Sequence, residues 1–351
     1  MSLGWALLAS LSVAQSVVTD PVGFVNTSII GTNGTSSSAL TFVGLSTTQP
    51  VAFQSTISSY VGGTRMLTPT SGTFTLDQFN GANGAFFVEI TSGTGAGLLS
   101  DITATSTTSI TTADDLSAQL SGGESFKIRK HWTLLSVFGP NANTSNVVIL
   151  GTGSASTADE VLFYDRTSQQ YITYYYKVGG VFGGDGWRST TGPNPLATDV
   201  SGTVLRITDG LIVRRKLSAA VTLSLPGAVK LGATQRSVTP GLNIDGDLYA
   251  SGTTLANSGL YDPAKPATSL QGGSASTADQ VLLYDGTQYI TYYYKVGGVF
   301  GGDGWRSTSG PNPLATDVSN TSLPAGQAII IRRLASLAFI WTAPQPFVVG
   351  P

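Results

Sequence analysis

A chain of 351 residues is long enough for two or three domains with real cores, and 41% hydrophobic content is too high for a disordered polypeptide. Charged residues make up only 11% and the net charge is −2, which leaves no basic footprint for nucleic acid and no polybasic patch for a membrane surface. The lack of cysteine excludes disulfides, thiolate chemistry and cysteine-ligated metals, and a single histidine, His131, excludes histidine-rich metal centres.

Residues 1–14 (MSLGWALLASLSVA) are apolar, too short to cross a bilayer, and end on the small-x-small triplet Ser12-Val13-Ala14. They read either as an export signal, which would place the protein outside the cell, or as a buried N-terminal strand or helix. Val17–Ile30 is expected to be an extended strand bent at Asp20-Pro21, since proline confines a strand to an edge or a bend. Between Leu40 and Arg129 come short β-type runs: Leu40–Leu45, Ala52–Tyr60, Thr64–Thr68, Gly72–Leu76, Ala85–Ile90, Leu98–Ala104, Ser109–Thr112 and Ser125–Arg129. Phe86–Ile90 and Phe126–Arg129 alternate apolar with polar residues, as half-buried strands do. Glycine-rich breaks at 80–84 and 93–97 supply turns, and Thr112–Leu120 suits one short helical turn. Many short strands at even spacing predict a small barrel or sandwich over residues 15–130.

Composition shifts at Lys130–Leu134, where a domain boundary is expected. Beyond it lies a duplication. The stretch Tyr171–Val200 returns at Tyr289–Val318 with one change, Thr191 becoming Ser309. Flanking similarity (residues 154–159 with 274–279, and 211–215 with 329–333) widens the copy. The chain therefore reads as all-β: an N-terminal domain, a first Tyr/Gly module at 131–216, connecting strands at 217–241, a second module at 242–333 and an apolar tail at 334–351. The tail, FIWTAPQPFVVGP from Phe339, is costly to leave in water and is expected to dock on its own fold or on a neighbour.

Few residues carry a chemical signal. The loop Gly179–Trp187 and its copy Gly297–Trp305 have glycine spacing reminiscent of phosphate loops. No Lys-Ser/Thr follows and no helix opens, so the expected role is a pair of tight turns with Trp187 and Trp305 as packing anchors. Asp185 with Asp199, Asp303 with Asp317, and Asp245 with Asp247 are the only weak candidates for Ca²⁺. The distal bidentate Glu is missing, so solvated turns are preferred and no cofactor is expected. His131 has the chemistry of a general base, but no G-x-S-x-G elbow accompanies it, and a structural histidine in a protein that is not an enzyme is preferred.

Thr19–Val25 (TDPVGFV), Phe87–Gly93 (FVEITSG), Lys130–Leu134 (KHWTL), Ser156–Leu162 (STADEVL) and Gly186-Trp187-Arg188 together resemble a family of exported, β-rich bacterial proteins of unknown function. The resemblance covers most of residues 17–216 and implies export and a β fold. It brings no catalytic residues, and the second module departs from it.

The expected role is a structural subunit of a self-assembling extracellular filament or sheath, a homopolymer joined by β-strand addition and aromatic contacts. The contact candidates are Val17, Val18, Val22, Phe24, Val25, Trp187, Trp305, Phe339, Trp341 and Phe347. The alternative is a monomeric cell-surface adhesin that binds glycans at two sites, the glycine loops with Trp187 and Trp305.

Overall fold

The computed structural model describes residues 20–34, 37–139, 149–180, 182–192, 194–246, 249–298 and 300–347. The apolar start at 1–14, Val17, Val18 and Asp247 lie outside them. Among the described residues the fold is all-β, with a single five-residue α-helix, Leu134–Phe138, closed at its start by a capping box between Thr133 and Ser136. That helix was not expected from sequence.

Six antiparallel strands close a barrel, in the order Val51–Val61, Met66–Pro69, Ile110–Thr112, Leu99–Thr105, Phe86–Ile90, Ser125–Lys130. Register shifts near Ile57, Phe53 and Ile102 bend the strands, as closure of so small a barrel requires. Inward residues such as Ile57, Leu67, Val88, Ile102, Phe126 and Ile128 fill it. The run Gly72–Leu76 is not a strand. It loops across the barrel and drops Phe74 against Phe53 and Phe79, with ring centroids 4.9 and 5.2 Å apart. Within Thr112–Leu120, Thr112 ends a barrel strand and one turn closes over Leu116–Leu120, where Leu120 N–H donates to Leu116 O (3.1 Å) as in a helix, with Leu116 and Leu120 buried.

Each module is a five-stranded antiparallel sheet. The first runs Gly186–Ser189, Gln170–Lys177, Glu160–Asp165, Gly210–Arg215, Ala39–Gly44; the second runs Gly304–Ser307, Tyr289–Lys295, Gln280–Tyr284, Ala328–Arg333, Gly241–Gly246. Each sheet also carries a two-stranded ribbon, Val22–Ile29 with Val221–Ala228 in the first copy and Thr234–Val238 with Phe339–Ala343 in the second. The pairing redraws the boundaries. Strands Val22–Ile29 and Ala39–Gly44 belong to the first module, which resumes at Trp132 and ends at Ala228, so the barrel is an insertion within it. The stretch 217–241 closes one module and opens the next, leaving 229–233 as the connector, and Phe339–Ala343 is a module strand.

The two sheets meet face to face. Phe42, Leu162, Tyr164 and Ile212 of the first pack on Ile244, Ala328 and Ile330 of the second. Gly44 N–H donates to Gly326 O (2.9 Å) and Gly246 N–H donates to Thr208 O (3.1 Å), bonds between equivalent positions of the two copies. The patch is thus self-complementary about a pseudo-twofold axis, closed inside one chain. Approach is so tight that a Cβ on Gly246 would lie 2.7 Å from Asp209 O.

A buried ionic cluster fixes the barrel to the joint between modules. Glu89 of the barrel takes Lys230 Nζ at 2.9 Å and Arg129 Nε at 3.1 Å, and Asp20 takes Lys127 Nζ at 2.6 Å and Arg129. Lys230 lies in the connector, where its ammonium also donates to Ala233 O (2.8 Å).

Candidate functional site

The duplicated loops are the most elaborately built part of the surface. Strand Gln170–Lys177 and strand Gly186–Ser189 flank a loop whose described residues are 178–180 and 182–185. Lys177 Nζ donates to Phe182 O (2.6 Å) and Gly184 O (3.1 Å), while Asp185 Oδ1 accepts from Gly179 N–H (2.7 Å). Arg188, almost wholly buried, donates to Gly183 O, Gly184 O (3.1 Å), Trp187 O (2.8 Å) and Leu196 O (3.1 Å). Burying a guanidinium is costly unless its donors are filled, and here carbonyls that a free loop would give to water fill them. Gly183 (φ 72°) must be glycine, since a Cβ there would lie 2.5 Å from Ala197 Cα. The second copy repeats the wiring through Arg306 and Asp303, while Lys295 donates to Gly302 O (3.1 Å) and to Gly297 O (2.5 Å). The outcome is two stiff tips on which Phe182 and Phe300 are each 66% exposed, flanked by the exposed Leu196 and Leu314.

Trp187 and Trp305 are not at those tips. Both are buried, edge-on against Tyr176 (5.7 Å) and Tyr294 (5.8 Å), and Trp187 Nε1 donates to Gly139 O (3.0 Å). Neither indole face is open to a sugar ring, so the anchor role holds and the stacking role has no geometry. Sequence reasoning passed over Phe182 and Phe300, whose exposure depends on which way the neighbouring cations turn.

The other contact candidates separate. Val22 (81% exposed) and Phe24 lie on the outer face of the first ribbon. Val25, Phe339 and Trp341 face the core, with the Arg236 guanidinium stacked on Trp341 at 3.9 Å, and Phe347 packs partly buried against Tyr249. The described strands at both ends of the chain are paired within it.

The described calcium candidates have other partners. Asp185 and Asp303 hold their own loops; Asp199 and Asp317 accept from Ser201 N–H (3.1 Å) and Ser319 N–H (2.9 Å). Asp245 is fully buried and pairs with Arg166 at 2.6 Å. Among the described residues no three His, Asp or Glu side chains are grouped to hold a metal ion.

His131 sits in a cleft of about 580 Å³ between the barrel and the modules. Its Nε2 contacts Asp101 Oδ1 at 2.9 Å, and Arg206 binds Asp101 Oδ2 through Nη2 (2.5 Å) and Nε (3.1 Å). Burial alone would raise the Asp101 pKa, but hydrogen bonds from His131 and Arg206 outweigh it and hold the carboxyl down to about 2. Asp101 therefore only accepts, so Nε2 carries a proton, while Nδ1 is buried with no partner among the described residues. Ser100, which lines the same cleft, gives its hydroxyl to Asp114 (2.7 Å) and not to His131. Nearby, burial pushes the enclosed carboxyl of Asp209 up to about 6 against the pull of Arg206 and Arg166, although the residue as a whole keeps some exposed surface.

The chain matches no protein-family model, no curated protein and no solved structure.

Proposed function

We propose that the protein is a structural, self-associating subunit of an extracellular filament or sheath, and that the two glycine loops make the contact in place of the chain ends. The observation that carries this reading is the pair of internally braced tips of identical sequence with Phe182 and Phe300 held out into solvent. Holding an apolar ring on a braced loop removes the ordering cost that a floppy one would incur on docking. Sealing one exposed phenyl ring contributes roughly 1.5–3 kcal/mol, and two equivalent tips allow one chain to hold two neighbours. A contact whose rotation does not close then grows into a fibre. Low charge keeps repulsion between copies weak. Strand addition by the described end strands would first require breaking their own pairing, which favours the tips. The extracellular setting rests on residues 1–14 read as an export signal.

The experiment is light scattering and negative-stain microscopy across micromolar concentrations, comparing the wild type with Phe182→Ser, Phe300→Ser and the double variant. Polymers are expected from the wild type, short oligomers from each single variant and monomers from the double. Monomeric wild type, or polymers that persist in the double variant, would refute the proposal.

A further inference from the structure

The cleft that holds His131 has walls of opposite sign. The barrel contributes Asp114 and Asp115 to one side, and the modules contribute Arg166 and Arg206 to the other. A bridge between Asp101 and Arg206 ties the walls together, so the gap is fixed and does not simply collapse on its own charges. Its volume of about 580 Å³ lies within the range of small-molecule sites, roughly 300–1,000 Å³. His131, nine-tenths buried, lines it and bonds to Asp101 through Nε2 (2.9 Å).

We infer that this cleft binds a small zwitterion, with the ammonium end held by Asp114 and Asp115 and the carboxylate end held by Arg206, with the Arg166 guanidinium lining the same wall. A free amino acid or short peptide has both charges at its ends. Opposed walls select such a molecule because each end gains from one wall, whereas a purely anionic or cationic ligand would meet one favourable wall and one repulsive one. Arg206 spends only Nε and Nη2 on Asp101, which leaves Nη1 for a ligand carboxylate. The inference is independent of self-association.

The test is calorimetric titration of the full chain with triglycine, N-acetyl-triglycine and triglycine amide. Triglycine is expected to saturate one site at millimolar concentration or below, and blocking either charge should weaken it at least tenfold. The Asp114→Asn/Asp115→Asn double variant alters exposed side chains and should fold normally by circular dichroism, yet lose at least tenfold in affinity. If that variant unfolds, Arg206→Gln reads the opposite wall and is expected to lose as much. No triglycine binding, equal binding of the blocked peptides, or unchanged affinity in the folded variants would overturn the inference.

Discussion

Glu89→Gln tests the ionic cluster that holds the barrel to the joint between modules. Glu89 is 2% exposed and is the shared anion of two buried cations, Lys230 at 2.9 Å and Arg129 at 3.1 Å. Gln keeps the shape and a hydrogen-bonding oxygen but removes the charge. Breaking a buried ion pair by deleting one partner costs roughly 3–5 kcal/mol, because the surviving charge keeps its desolvation penalty without its Coulomb return. Partial rescue is built in, since Arg129 retains Asp20 and Gln49 O (3.0 Å) and Lys230 retains Ala233 O. The lower end, about 3 kcal/mol, is therefore expected. The control is Asp262→Asn, which removes an exposed pair with Lys265 at 3.7 Å and should cost no more than about 1 kcal/mol. Urea unfolding followed by tryptophan fluorescence gives the difference, and limited proteolysis tests whether the barrel loosens first, since a chain with an inserted domain need not unfold in one step. A Glu89→Gln variant no less stable than the Asp262→Asn control would refute the reasoning.

Two further outcomes follow from the same structure. Asp209 has a folded pKa raised to about 6 from 3.8, so the folded state binds more protons between those values and the group's penalty is relieved as pH falls through 6. The wild type should therefore gain melting temperature relative to Asp209→Asn on going from pH 7.5 to pH 4.5, and a constant difference would count against an enclosed carboxyl. Gly246→Ala pushes a Cβ to 2.7 Å from Asp209 O at the seam between sheets and should cost about 1–3 kcal/mol, measured by urea denaturation. Gly63→Ala, where the added Cβ meets nothing within 4 Å, is the matched control and should be close to neutral.

The strand content of the barrel was largely legible because its strands alternate over short spans: Phe126 and Ile128 point inward while Lys127 points out to Asp20. Gly72–Leu76 misled because β-type residues there satisfy an irregular loop equally well once Phe74 finds aromatic partners. The anchor role of Trp187 was readable from its surroundings of tight turns. The exposure of Phe182 was not, because it depends on Lys177 and Arg188 turning inward to bind loop carbonyls, and a cation in a sequence reads as surface. The cleft was invisible for a similar reason, since Asp101, His131 and Arg206 come from three separate stretches.

From its residues alone this chain determines an all-β fold, a duplicated module and turns at its glycine pairs, because each of these depends on neighbours a few positions away. The tertiary structure decided that the barrel is an insertion, that Val22–Ile29 closes on Val221–Ala228, and that the two copies meet through a pseudo-twofold seam. Backbone donors and acceptors are the same in every strand. Which strands pair is settled by which side chains can be buried together, and that is a property of the whole molecule.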